Sequence, residues 1–416
     1  MTASQASALE SCILQKSIEL AVDHSLQLKE AEARIQMKLS ECLQAGLAPN
    51  PALLLEFDEI RCSTRRSALG KLESFLGITQ LIELGNKRTA RQNVVATESS
   101  VAMWEWETTK EQLIKKVTDV YIDAFAIHAR IKLLDQTLQN AVKLNECLTE
   151  LLNQGKGSLL LQKKSLLAQN TILNDRKRAL SDLASIKRQL VLLCGNEALL
   201  NFDELCSTVL VNTFQGTANQ AINLHPELSV SAPLPLATYL SLVPNNSELS
   251  QLSAIQLAAH YSYHLEKANA VPDVALTVGV ENERHYGGCR LLFGFGIEIP
   301  VNNRNQGNIS RANWEGYAAL YKRQDLEREM LARCQDLYSD LQHRYGTIEL
   351  LSRDLIPTSN EMLKVHSDRE LHGKEDCLEA LVTYRELFEF QAQYIEEVKE
   401  FHHLKASLRL LCGEDL

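Results

Sequence analysis

The stretch Val274-Ala275-Leu276-Thr277-Val278-Gly279-Val280-Glu281-Asn282 alternates strictly. In an extended strand Val274, Leu276, Val278 and Val280 share one face, and Ala275, Thr277, Gly279 and Glu281 share the other. After a polar interval, Glu283 to Arg290, the pattern resumes from Leu291 to Val301. Leu291, Phe293, Phe295, Ile297 and Ile299 oppose Leu292, Gly294, Gly296 and Glu298. Period-2 segments of about ten residues with one apolar face are the signature of membrane-barrel strands. An earlier pair, Leu53 to Ile60 and Phe75 to Leu84, has the same character. The sequence therefore predicts β-hairpins over 53–84 and 274–301.

Around these hairpins the chain is helical in composition. No Gly or Pro occurs from Asn86 to Gln154, from Ser158 to Cys194, or from Lys374 to Cys412. Leu, Ala, Lys, Glu and Gln dominate these stretches, and they are strong helix formers. Ile114, Val117, Val120, Tyr121, Ala124, Ile127 and Ile131 recur at helical spacing. The first stretch would run for roughly 100 Å as one helix, and helices of that length pack as coiled coils or stacked hairpins.

An internal repeat organises the whole. Gly155-Lys156 recurs as Gly373-Lys374, and Leu192-Leu193-Cys194-Gly195 recurs as Leu410-Leu411-Cys412-Gly413 at the same offset. Two copies of helix, β-hairpin, very long helix, Gly turn and long helix follow. Residues 1–195 form the first repeat, with its tip near 155. Residues 251–416 form the second, with its tip near 373. The segment 196–250 between them holds four of the nine prolines (Pro226, Pro233, Pro235 and Pro244) and reads as a linker. Four strands cannot close a barrel, and an open edge cannot sit in lipid. A threefold assembly closes one with an even strand number. The predicted fold class is mainly α with a small β part, a trimeric barrel extended by coiled-coil helices.

Composition removes several classes. The chain has 416 residues, of which 45% are hydrophobic and 6% aromatic, enough to build a core. Forty-three basic against fifty-three acidic side chains give a net charge of −10, the wrong balance for gripping nucleic acid. No apolar run reaches the length of a transmembrane helix, and no signal peptide is visible after Met1. The ten cysteines form no CxxC pair, so a zinc ribbon or thioredoxin-type centre is not indicated. Buried thiols acting as small hydrophobes, or disulfides, remain the two readings. No HExxH, GxxxxGK[ST] or GxSxG motif is present, so no enzyme, cofactor or metal centre is expected. His402-His403 and the i, i+4 pair His260/His264 are the nearest to metal ligands, and both read as solvated helix residues. Trp104, Trp106 and Trp314 read as packing residues.

At this point the sequence resembles the TolC-like outer-membrane efflux proteins, closest to the CzcC-type branch of heavy-metal exporters. The residues that carry the likeness are Ala45 to Leu53, Gly77 to Arg88 and Ile299 to Ile309, in order and at intact spacing. The last two look like the turns out of the second and fourth strands. The resemblance implies an outer-membrane barrel continuous with a periplasmic helical tunnel. It implies a homotrimer working with a periplasmic adaptor and an inner-membrane pump, in contact with outer-membrane lipid and not with nucleic acid.

If the apolar strand faces meet lipid, Glu56, Asp58, Glu281 and Glu298 point into a lumen. Threefold symmetry would make each a carboxylate ring that favours cations, or that merely keeps the lumen wet. Phe57, Phe75, Phe293, Phe295 and Tyr286 are candidates for an aromatic girdle. By the same resemblance the two Gly turns form periplasmic tips that meet an adaptor and constrict into an aperture. Their residues here are Gly155, Lys156, Gly373, Lys374, Glu375, Asp376 and Glu379. Leu161 occupies the place after the first turn where a carboxylate could have matched Glu379. The expected function is a passive outer-membrane conduit for small solutes, with metal cations as candidate cargo. The rival is a soluble or periplasmic coiled-coil scaffold or secretion-apparatus protein without channel activity.

Overall fold

The computed structural model describes residues 3–58, 73–155, 158–194, 230–283, 288–368 and 374–413. Along the chain run α1 (Ala3–His24), α2 (Leu26–Ala45), β1 (Ala52–Asp58), β2 (Glu73–Ile82), α3 (Lys87–Asn153) and α4 (Leu159–Cys194). After the undescribed interval come α5 (Leu236–Leu242), a 3-10 turn (Val243–Asn245) and α6 (Ser247–Asn269). Then follow β3 (Val274–Glu283), β4 (Gly288–Ile297), α7 (Gln306–Leu350), a π-turn (Leu351–Leu355), α8 (Ile356–Asp368) and α9 (Lys374–Cys412). The order helix, two strands, helices on either side of a turn therefore occurs twice. No described helix is long and apolar enough to cross a membrane.

The second long helix is not continuous as the sequence suggested. Pro357 has no N–H, and its ring crowds the carbonyl four residues back. The turn before it widens, and the Ile356 N–H reaches back to the Leu351 carbonyl across five residues.

Two compact units divide the residues. The first comprises Met1–Lys29, Thr108–Asn246 and Arg328–Leu416. In its core α3 presents Ala126, Ala129 and Leu133 to Ile395 of α9, and Ile131 and Leu134 to Ala179 and Leu183 of α4. Val117, Tyr121, Ala124 and Ile131 of the helical stripe expected from sequence are all buried. The Cys194 and Cys412 thiols, each closing a long helix, donate to the Ser17 and Tyr239 carbonyls at 3.4 and 3.5 Å. Burial pushes the Cys412 thiol up to about 12, so it acts as packing and not as a nucleophile.

The second unit comprises Glu30–Glu107 and Ser247–Glu327. It holds one antiparallel sheet in the order β1-β2-β3-β4. Its central pairing, β2 with β3, joins two distant hairpins, with Ile78 opposite Val278 and Thr79 opposite Thr277. Below the sheet Asp273 accepts from Lys87 Nζ at 2.7 Å and from the Leu84 N–H at 3.0 Å, tying the entry of β3 to the exit of β2. Arg91 clasps Glu83 with both guanidinium nitrogens, which holds that carboxyl below its ordinary range. Trp314 departs from expectation here: it is 66% exposed, its ring tilted against Tyr317, which stacks on Tyr321.

Candidate functional site: a two-faced sheet

The strand register sorts every described sheet side chain onto one of two faces. Ladder partners share a face, so Leu53, Ile78, Val278 and Phe293 form one row across the sheet. Leu55, Leu76, Val280 and Leu291 form the next row. This face is apolar and open: Leu53, Phe293 and Phe295 are 73%, 75% and 79% exposed. An uncovered apolar surface of this size on a folded sheet calls for a non-aqueous neighbour.

The reverse face is polar and crowded with small residues. Thr79 and Thr277 share a hydrogen bond at 2.9 Å. Glu56, Phe75, Glu281 and Arg290 make one row, as the pairings Glu56 to Phe75, Phe75 to Glu281 and Glu281 to Arg290 require. Arg290 Nη2 lies 3.8 Å from Glu281 Oε2. The row that reads as purely acidic in sequence therefore carries its own cation, which lies on the opposite strand and outside any local motif. Asp58 ends β1 on the same face by register, and its side chain lies outside the described residues. Glu298 lies one residue past the end of β4, so it is not a strand residue as expected.

Phe75 also changes place. It is not on the apolar face with Phe57, Phe293 and Phe295, because its partner is Glu281. Its ring lies over Gly77 and Gly279, and a Cβ on Gly279 would stand 2.3 Å from Phe75 Cε2. Tyr286 lies outside the described residues.

At the first helical tip, Gly155 closes α3 in the left-handed conformation (φ +72°), its N–H donating to the Leu152 carbonyl at 3.0 Å. Lys156 and Gly373 lie outside the described residues. Lys374, Glu375 and Asp376 open α9, and their side chains lie outside the described residues as well. Glu379 is exposed one turn on, with its carbonyl accepting from Thr383 Oγ1 at 3.0 Å. Leu161, its counterpart in sequence, is buried against Leu148.

His260 and His264 are exposed as expected, but His402 and His403 are better placed than a solvated reading allows. His402 is buried at 6%. His403 of α9 bridges two carboxylates of α3: Nδ1 lies 2.9 Å from Asp119 Oδ1 and Nε2 lies 3.0 Å from Asp123 Oδ1. Those hydrogen bonds raise His403 to about 9, so the ring is charged at neutral pH. Sequence reasoning missed this because Asp119 and Asp123 sit far from His403 along the chain. Their i, i+4 spacing on a helix was the available signal. Among the described residues no group of three or more His, Cys, Asp or Glu side chains could hold a metal ion.

Residues 240–414 match the family model described as outer membrane efflux protein. The likeness to the outer membrane efflux proteins is carried by this C-terminal part of the chain. The chain is 22% identical over 410 residues to the cobalt-zinc-cadmium resistance protein CzcC of Cupriavidus metallidurans, covering 96% of the chain and 90% of CzcC. Its fold is shared with the outer membrane protein VceC of Vibrio cholerae (TM-score 0.74, 17% identity, 96% of each chain). The outer-membrane channel OprN gives a TM-score of 0.77 at 14% identity, over 96% of this chain and 89% of OprN. CusC, whose crystal structures concern conformational changes accompanying folding and transmembrane channel formation, gives 0.71 at 16% identity, over 96% of this chain and 92% of CusC. The chain thus has the fold of these outer-membrane proteins.

Proposed function

We propose that this protein is the passive outer-membrane conduit of a tripartite export system, assembled as a homotrimer. The observation that carries the reading is the four-stranded sheet with one open apolar face and one polar face. Among the described residues its outer strands β1 and β4 each have a single partner. Bare strand edges are costly in lipid, and rotationally related copies remove them by pairing β4 of one chain with β1 of the next. The polar row of Glu56, Phe75, Glu281 and Arg290 then lines the lumen. Arg290 beside Glu281 offsets the carboxylate, so this level of the lumen selects less strongly for cations than four acidic residues would.

The tips at Gly155, Lys156 and at Gly373, Lys374, Glu375, Asp376 and Glu379 form the periplasmic end, where an adaptor linked to an inner-membrane pump engages. Transition-metal cations are the cargo favoured by the likeness to CzcC. No bond is made or broken; the pump supplies the driving force.

The test is assembly and conductance. Protein extracted from the outer-membrane fraction should be a trimer in detergent by light scattering, and should conduct ions in planar bilayers. A monodisperse monomer with an intact sheet, or its recovery solely from the soluble fraction, overturns the conduit in favour of a helical scaffold.

A further inference from the structure

We propose that His260 and His264 on α6 form an exchangeable binding site for a single transition-metal dication. The two rings project from one helix at i, i+4 spacing, and Nε2 of one lies 3.1 Å from Nε2 of the other. A metal bonded to two imidazole nitrogens at about 2.0–2.1 Å fixes the gap between them. At a right angle that gap is about 2.9 Å, and at the tetrahedral angle about 3.3 Å. The observed separation falls between the two. A dication at these bond lengths sits to one side of the line between the two nitrogens, so a turn of the exposed rings about their side-chain bonds brings both lone pairs onto it.

The rings are held in position from outside the pair. His260 packs edge-on against Tyr261 at 6.0 Å, and His264 against Tyr263 at 5.6 Å between centroids. The nearest cation on the helix, Lys267, lies over the Tyr263 ring at 4.3 Å. The neighbouring carboxylate, Glu266, is engaged by Asn305 Nδ2 at 2.6 Å and is not available as a third ligand. Among the described residues no third histidine, cysteine or carboxylate completes the set. Water therefore fills the remaining positions, which makes the site open and rapidly exchanging, unlike a closed structural zinc. Imidazole donors suit copper, zinc, nickel and cobalt, with copper(II) bound most tightly. Both rings are exposed, so entry needs no opening of the fold. This site stands independently of the conduit reading: a scaffold with the same helix would bind metal equally.

The experiment is a copper(II) titration of the purified, tag-free protein in detergent, followed by electron paramagnetic resonance. A nitrogen-ligated signal should saturate with about one equivalent per chain assigned to this pair. His260→Gln and His264→Gln should each remove that equivalent while leaving circular dichroism unchanged. Diethyl pyrocarbonate modification of His260 and His264, mapped by mass spectrometry, should be slowed by copper in the unaltered protein. Unchanged copper stoichiometry in both variants, or modification at the same rate with and without copper, overturns the site.

Discussion

Asn86 and Asn305 hold the same left-handed backbone, at φ 56° and 60°, each immediately before a long helix. Each carbonyl accepts the first helical N–H, from Ala90 and from Ile309, both at 3.0 Å. Two remote stretches have thus kept one solution for turning from strand to helix. Asparagine suits it because its short polar side chain tolerates a conformation that costs other L-residues about 1–2 kcal/mol. Asn305 adds a tie, donating through Nδ2 to the Glu266 carbonyl at 2.8 Å. Asn305→Ala should lower the thermal midpoint more than Asn305→Gly, which keeps the backbone freedom and loses only the side-chain bonds. Thermal unfolding followed by circular dichroism checks this; equal losses would show that the backbone conformation carries no cost.

The contact of Phe75 with Gly279 predicts a size-dependent pair. A methyl at Gly279 collides with the ring, so Gly279→Ala should destabilise by about 1–3 kcal/mol, the usual cost of overpacking. Phe75→Ala in the same chain should recover part of that loss, because the obstructing ring is gone while the Leu76 carbonyl still stands 2.8 Å from the new Cβ. The double-mutant cycle, read by resistance of the assembled protein to heat in detergent, should show coupling between the sites. Additive losses would mean that Phe75 turns away without cost.

His403 gives the helical part a pH dependence whose sign follows from its raised value. Its ordinary value is 6.5 and its folded value about 9, so the charged ring favours the fold. That contribution is complete below pH 6.5 and fades as pH rises through about 9. The charged groups around the ring are Asp119, Asp123, Lys115 and Lys399, with Lys115 2.5 Å from Asp119 Oδ2. Burial alone would raise Asp119, and the hydrogen bonds from His403 and Lys115 outweigh it to leave the carboxyl below its ordinary 3.8. Asp119 therefore contributes above that value and loses its contribution under acid conditions. Between pH 6.5 and 9 the unaltered protein should lose stability relative to His403→Gln. Denaturant midpoints across that range that move in parallel would refute the bridge.

The strand faces were legible in the sequence because alternation is local: Val278 and Phe293 announce themselves within a few neighbours. Helix α3 was legible for the same reason, through a stripe that includes Val117, Tyr121 and Ala124. What could not be read was anything set by register or by distance along the chain. Arg290 became part of the polar row only once β4 had paired with β3, and Phe75 changed faces once its partner proved to be Glu281. The His403 bridge needed α3 and α9 side by side. The π-turn before Pro357 was within reach of sequence, since a proline inside a helical pattern announces a break.

The assignment of the two sheet faces leads to the sharpest contrast. Val278 and Phe293 are ladder partners on the open apolar face, and Thr277 and Gly294 are ladder partners on the other. If the first face meets lipid, Arg at Val278 or Phe293 places a charge in hydrocarbon, at a cost of about 2–4 kcal/mol near the midplane. Gly294 has room for a side chain, since a Cβ there comes no closer than 3.7 Å to Thr277 Cβ. Arg at Thr277 or Gly294 would meet the aqueous side and should be tolerated better, though it also loses the Thr79–Thr277 hydrogen bond in the first case. The measurement is the fraction of each variant recovered as heat-resistant trimer from outer membranes. Val278→Arg and Phe293→Arg should fall well below Gly294→Arg. A shift of one residue in register would exchange the faces and reverse the order, so the experiment reads the register as well as the environment. Equal recovery of all four variants would mean that neither face contacts lipid, and the barrel would have to be abandoned.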